Sequence, residues 1–362
     1  MTSPVNGTYL KLTTYFGERQ RAGSRFLAEA VLDLYTEREV ASSIMLRGIA
    51  SFGPRHVIRS DESLTLSEDP PVAVTAVDTE STITALLDDV IGLTRRGLIT
   101  VERARLLDGG LSGASLPTDG DAIKLTISIG RRRRVGGAAA YYAVCDLLHR
   151  HHFAGATVFL GVDGTAHGRR RRARFFSANT DVPIMIVAVG SAAQARAVLP
   201  ELESLLYEPL VTVERVQVCK RDGRLLARPP VLPAADAAGR ELRQKLTIHT
   251  SESTHHDGVP IHRALIRRLW ESETASGATV LRGIWGFYGD HKPHGDKLIQ
   301  YGRQVPVTTI VVDTPDVIAR SFDIVDEVTG SHGLVTCEMV PALLMLDGDV
   351  RRGATDLADY RY

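Results

Sequence analysis

Three cysteines, Cys145, Cys219 and Cys337, are all that 362 residues contain. They are too few and too far apart for a disulfide framework or a CxxC pair, which fits a reducing, cytoplasmic setting. Long apolar runs are missing too. No stretch approaches the roughly 20 residues a membrane span needs, and no basic segment followed by an apolar one marks a signal peptide at the start. Excess charge of either sign is absent, with 43 basic against 43 acidic residues, so no net field draws the whole chain to nucleic acid or a membrane surface. Catalytic signatures are lacking as well: there is no G-x-S-x-G, Walker A, H-E-x-x-H or dinucleotide fingerprint. The carboxylates are scattered, and no acid–base pair stands out. The expectation is a non-enzymatic protein.

What the chain does contain is one pattern written three times. Leu281-Arg-Gly-Ile-Trp-Gly-Phe-Tyr-Gly289 has a close copy in Leu46-Arg-Gly-Ile-Ala-Ser-Phe-Gly53 and a worn one in Phe159-Leu-Gly-Val-Asp-Gly-Thr-Ala-His-Gly168. Each copy follows a lysine, Lys11, Lys124 or Lys245, by 35, 35 and 36 residues, and precedes a proline, Pro71, Pro183 or Pro306, by 25, 24 and 25. Chance similarity between generic strands would not keep three landmarks in register.

Within a repeat, apolar alternation predicts strands and a 3.6-residue period predicts helices. Leu10 and Leu12 alternate along a first strand. Phe26, Leu27, Ala30, Val31 and Leu34 mark a helix, and the second strand runs into the motif. Pro71 opens a third strand, where its missing N–H costs little. Ile83, Leu86, Leu87, Val90 and Ile91 mark a second helix, and Gly97, placed for a left-handed helix cap, leads into a fourth strand. This β-α-β-β-α-β order is the ferredoxin-like unit. The predicted organisation is repeat one at 8–107, a linker at 108–121, and repeat two at 122–219. A linker at 220–243, repeat three at 244–344 and a loose polar tail at 345–362 follow.

One such unit leaves a sheet face bare, and strands such as Ile184-Met-Ile-Val187 offer no wholly polar side. A soluble monomer rarely exposes so large an apolar patch. Three units in one chain can bury those faces against each other, and linkers of about 13 and 24 residues reach between units at ~3.3 Å per residue.

These residues resemble the PII-like proteins, specifically the branch known as domain of unknown function 190. The likeness rests on the two well-kept motif copies, on Ser67-Glu-Asp-Pro-Pro-Val72, on Val77-Asp-Thr79 with Val312-Asp-Thr314, and on Gly97-Leu-Ile-Thr100 with Gly333-Leu-Val-Thr336. It covers nearly all the chain outside the linkers and tail. It implies an α+β fold of three ferredoxin-like units packed as an intrachain PII-like pseudo-trimer, because PII-like proteins are trimers of such subunits. Repeat two departs from the pattern: Leu160 replaces the motif arginine and Gly190-Ser191 replaces Asp-Thr.

The resemblance also implies a small effector, often a nucleotide, held in clefts between repeats. Gly48, Gly53, Gly97, Gly283, Gly286, Gly289 and Gly333 either bend strand ends or bring backbone N–H groups to an anion. Arg47 and Arg282 either supply charge to it or lie on a solvated edge. Phe52, Trp285, Phe287 and Tyr288 either stack on a base or fill the seams between repeats. In repeat two, Arg131–Arg134 and Arg169–Arg172 with Arg174, of which Arg131, Arg132, Arg169 and Arg170 are the foremost candidates, form either one anion-binding patch or a solvated loop. No aromatics alternate with them, which argues against nucleic acid.

The reading is a cytoplasmic PII-like signalling or adaptor protein that binds a small anionic effector and regulates a partner. For PII-like proteins the partner is often a transporter or metabolic enzyme; encoding beside fluoride channels suggests a membrane transporter. No cofactor beyond a nucleotide effector is expected. One alternative is a divalent-metal protein using His255, His256, His291 and His294. The other is an enzyme with an unrecognised site.

Overall fold

The computed structural model describes residues 9–60, 69–107, 111, 116–118, 120–166, 169–170, 182–206, 209–289, 291–295 and 305–360. Repeat one consists of β1 (Tyr9–Gly17), α1 (Leu27–Glu37), β2 (Ser42–Phe52), β3 (Pro71–Thr79), α2 (Glu80–Leu93) and β4 (Arg96–Leu106). Repeat two follows with β5 (Ala122–Gly130), α3 (Ala140–Arg150), β6 (Gly155–Leu160), β7 (Asp163–Ala166), β8 (Pro183–Ser191), α4 (Ala192–Leu205), β9 (Leu210–Arg215) and β10 (Gln217–Arg221). Repeat three has β11 (Arg243–Ser251), α5 (Ile261–Glu271), β12 (Ala278–Arg282), β13 (Trp285–Tyr288), β14 (Pro306–Asp313), α6 (Pro315–Thr329), β15 (Leu334–Val340), β16 (Ala342–Asp347) and β17 (Val350–Ala354).

In every repeat the first strand lies between the third and fourth, the second strand pairs with the third, and all pairs are antiparallel. The three prolines open third strands opposite Gly17, Gly130 and Ser251. Asp78 accepts backbone N–H bonds from Thr79 at the start of α2 and from Ala41 ahead of β2. Asp313 does the same for Thr314 and Ser276. This double acceptance explains the Asp-Thr landmark: one carboxylate ties a helix start to a strand start. Repeat two manages without it, because Phe153 packs where a side chain at Gly190 would stand and Ser191 with Gln194 forms a capping box.

The first strands have two faces. Leu10 and Leu12, Ile123 and Leu125, and Leu246 and Ile248 pack under their own repeat's helices in three separate cores. The alternate residues face a common interior. One part of it is apolar, with Ile44, Leu46, Ala73, Phe159 and Leu281 drawn from all three repeats. Another part differs from the expected bare apolar face, because it holds six charged side chains.

Lys11 contacts Glu102 at 2.9 Å and also Glu214. Lys124 contacts Glu214 at 2.7 Å and also Glu338. Lys245 contacts Glu338 at 3.3 Å and also Glu102. The contacts close a ring of alternating charge, and none of the six residues is more than 8% exposed. Burial lowers the pKa of Lys11 and of Lys245, but the facing glutamates outweigh it and leave both above the ordinary lysine value. Burial raises those of Glu102 and Glu338, and the lysines outweigh it, leaving both low.

Hydrogen-bonded strand pairs also join the repeats. β2 meets β7 through Ser42–Met45 and β12 through Gly48–Phe52, while β6 meets β13. β4 pairs with β9 and β16, and β10 pairs with β15. Each repeat is thus bonded to both others, and the strands link into one large antiparallel network; six α-helices occur among the described residues.

Three expectations change. The second linker is not free of structure: Lys220 and Arg221 belong to β10, which is held by β15, and Lys220 reaches Asp326. The tail is not loose either. β17 pairs with β16, and buried Ala358 accepts a hydrogen bond from Arg103. Gly97 is not a helix cap. Thr94 ends α2, and Gly97 sits inside β4, where a Cβ would stand 2.4 Å from the Tyr15 carbonyl oxygen.

Candidate functional site

The pairing of β2 with β12 and of β4 with β16 leaves a cleft of about 170 Å³ between repeats one and three. Its floor is apolar, with Phe52, Leu98, Ile310, Val312 and Met345, and Tyr15 adds a phenol. Arg55, Arg59 and Arg96 line the same space. Asp347, at the end of β16, stands among them. Arg55 Nε lies 3.1 Å from each carboxylate oxygen of Asp347, and Arg96 Nε lies 3.3 Å from one of them. Arg59 is placed by its own short strand, Arg59–Ser60, which pairs with Ser51 and Ala50. Burial pushes the Tyr15 phenol well above its usual value, so it stays neutral and can donate a hydrogen bond.

Of the residues picked from sequence, Phe52, Gly53 and Gly97 line this cleft. Arg47 is engaged by Glu18, with Nε 2.9 Å from the carboxylate, and Arg282 is engaged by Glu252. Neither lines the cleft. Gly48 allows β12 to come close: a Cβ there would meet the Val280 carbonyl oxygen at 2.7 Å.

Trp285, Gly286, Phe287 and Tyr288 belong to a different seam, between repeats two and three, with Gly283 just before it and Gly289 at its end. There Phe287 joins the core of repeat two, and Trp285 meets Tyr142 edge-on at 4.6 Å. A Cβ on Gly286 would stand 2.2 Å from the Ala156 carbonyl oxygen. Gly289 and Gly333 both have positive φ, 61° and 83°, the first in a turn and the second just before β15.

Arg131 and Arg132 are exposed in the turn after β5. The backbone of Arg169 and Arg170 pairs with Ala166 and Thr165. Arg171, Arg172 and Arg174 lie outside the described residues.

The histidines of repeat three do not converge. His255 bonds the Ser253 carbonyl at 2.8 Å, His294 bonds that of Lys292 at 2.9 Å, and His291 meets Tyr288 edge-on. His256 lies 3.6 Å from the Asp257 carboxylate. Among the described residues, no group of three or more His, Cys, Asp or Glu is placed to hold a metal ion.

A second cavity, of about 100 Å³, lies in the common interior beside the charged ring. Thr13, Thr126 and Thr247 line it, as do Tyr15, Ser128 and His249, which occupy one register position in the three repeats. Sequence reasoning missed the glutamates of the ring and the arginines of the cleft. The glutamates had a signal: Glu102, Glu214 and Glu338 each stand two residues after a threonine of the fourth strand, Thr100, Thr212 and Thr336.

The chain was compared with known proteins. The family described as DUF190, an uncharacterized ACR, matches three times, at residues 9–106, 122–218 and 243–342. A UPF0166 protein from Aquifex aeolicus (strain VF5) is 32% identical over 104 residues, which is 28% of this chain and 95% of that protein. Among solved structures, an aspartate kinase from Synechocystis aligns with a TM-score of 0.27 and 11% identity over 94% of this chain and 45% of its own. CrmK, a flavoenzyme of caerulomycin biosynthesis, aligns with a TM-score of 0.19 and 13% identity over 81% of this chain and 56% of its own. The chain therefore spans about half of each of those two proteins.

Proposed function

Since the chain belongs to the DUF190 family, which is PII-like, and carries it in three tandem copies, we propose that it is a non-enzymatic signalling or adaptor protein. In this reading its three units form a PII-like pseudo-trimer within one polypeptide. The cyclic order of the strand pairs between repeats and the ring shared by Lys11, Lys124 and Lys245 support that arrangement.

The effector is a small anion with a flat apolar part, of which an adenine nucleotide is the simplest example. It occupies the cleft between repeats one and three. The observation that carries this is the gathering of Arg55, Arg59 and Arg96 over an apolar floor that includes Phe52. Guanidinium forks match phosphate oxygens in pairs, and an apolar floor rewards a base that leaves water. Binding there touches both repeats at once, so it can shift the relative population of their arrangements and thereby change what the surface offers a partner. A cytoplasmic setting agrees with three buried cysteines that form no disulfide. The regulated partner is a protein, and a membrane transporter is the first to test.

Calorimetric titration of the purified chain with ATP, ADP, AMP and cyclic AMP tests the reading. At least one should bind, and R55A/R96A should weaken it by about tenfold or more, the loss expected for two charge-assisted contacts. Absence of binding by all four would overturn the effector assignment.

A further inference from the structure

Asp347 occupies the place an incoming anion needs. Its carboxylate faces two nitrogens of Arg55, with Oδ1 3.0 Å from Nη2 and both oxygens 3.1 Å from Nε, the fork arrangement that a phosphate could also take, and Oδ1 is shared with Arg96. The side chain is only 28% exposed, and it comes from repeat three whereas both arginines come from repeat one. Resting on the effector reading above, we propose that Asp347 is a built-in competitor. It occupies the cations of the cleft, and an anionic effector must displace it to reach Arg55 and Arg96.

The element that carries Asp347 is the exposed tip of a hairpin. Asp347 is the last residue of β16, opposite Arg96, and the next residue, Gly348, has φ +67° and donates one hydrogen bond to the Arg95 carbonyl at 2.9 Å. Beyond the turn, all five residues of β17 are exposed, and the strand pairs with β16. Releasing the carboxylate removes the side-chain tie on the hairpin tip and leaves it held by the backbone pairing of Asp347 with Arg96, the Gly348 bond and the ladder to β17, while the inner part of β16, from Ala342 to Leu346, stays buried for the most part and paired with β4. The hairpin tip also carries Arg351 and Arg352. Ligand occupancy in the cleft would thus be reported at a basic, exposed edge contributed by the other repeat. No bond is made or broken; one anion replaces another on the same two cations.

The apparent affinity of a site that must first open is reduced by the fraction of molecules already open. Removing the competing charge removes that reduction. ATP and inorganic pyrophosphate are titrated into the unaltered chain and into D347N, and amide hydrogen exchange of residues 347–354 is followed in the unaltered chain with and without ATP. D347N should bind about three- to tenfold more tightly, and exchange at the hairpin tip should quicken when ATP is added. The exchange measurement stands even if D347N fails to fold. Binding of equal or lower affinity in D347N, with hairpin exchange unchanged or slower, overturns the competitor role but leaves the effector reading in place. Binding by neither form overturns both.

Discussion

Lys11 Nζ lies 2.9 Å from Glu102 Oε2 across the sheet of its own repeat, and the same ammonium also contacts Glu214 of the next repeat. Repeated three times, that double contact makes each buried charge depend on two repeats. A ring of this kind need not add net stability, because desolvation offsets much of the attraction. What it does is penalise incomplete assembly. A repeat that leaves the ring strands a charge in a buried place.

Removing one member should therefore be costly. K245M leaves Glu102 and Glu338 with one cationic contact each. We expect a loss of about 3–5 kcal/mol in unfolding free energy by urea denaturation. The double variant K245M/E102L, which removes a pair of opposite charges, should lose less than the single one. A loss in K245M below about 1 kcal/mol would contradict the account.

Acid should weaken the fold in a defined window. Burial holds the pKa of His249 down at about 4 and that of His262 likewise at about 4. For each, the unfolded chain takes up a proton near the ordinary value of about 6.5 while the folded chain resists. Stability is therefore full above pH 6.5 and falls as the pH drops through that value towards 4. For fully buried His249 the loss is about 3 kcal/mol. H249S, which installs the residue that repeat two has at Ser128, should flatten the fall of melting temperature between pH 6.5 and 4. An unchanged slope would contradict the assignment to His249. Below this range Glu102 and Glu338 take over, since their lowered values make the stability they contribute vanish as pH falls through them.

Two glycines of the motif should act through packing between repeats. In G286A the new methyl meets the Ala156 carbonyl oxygen of β6, and in G48A it meets the Val280 carbonyl oxygen of β12. Each should lower stability by about 1–3 kcal/mol, as overpacking does, with G286A the worse because its contact is closer. G53A, with nothing within 4 Å of its Cβ, is the control. Equal thermal melting of all three would remove the inter-repeat role.

Much of the fold was legible because its signals are local. The lysine, motif and proline spacings set the repeat, and strand alternation put Leu10 and Leu12 on one face of the first strand. The ring was half visible: Lys11, Lys124 and Lys245 served as landmarks, but nothing in one strand says that its inner face is charged and buried. The glutamates lie 91 residues from the lysine in repeat one, from Lys11 to Glu102, and 93 in repeat three, from Lys245 to Glu338. Arg55 and Asp347 are 292 residues apart, and strand pairing between repeats one and three brings them together. The linker and tail looked irregular because β10 and β17 are short and polar; their partners, not their composition, make them strands. The motif aromatics divided, with Phe52 reaching the cleft and Trp285, Phe287 and Tyr288 placed in the other seam, because β12 and β13 break at Gly283 whereas β2 runs on unbroken.

The most direct test of a cleft shared by two repeats is photolabelling with an azido-adenine nucleotide, followed by peptide mapping. The account predicts label on two stretches far apart in sequence, 51–59 of repeat one and 276–279 of repeat three, and its suppression by excess ATP. Label confined to one repeat, or carried by the arginine-rich turn at 131–134 instead, would contradict it.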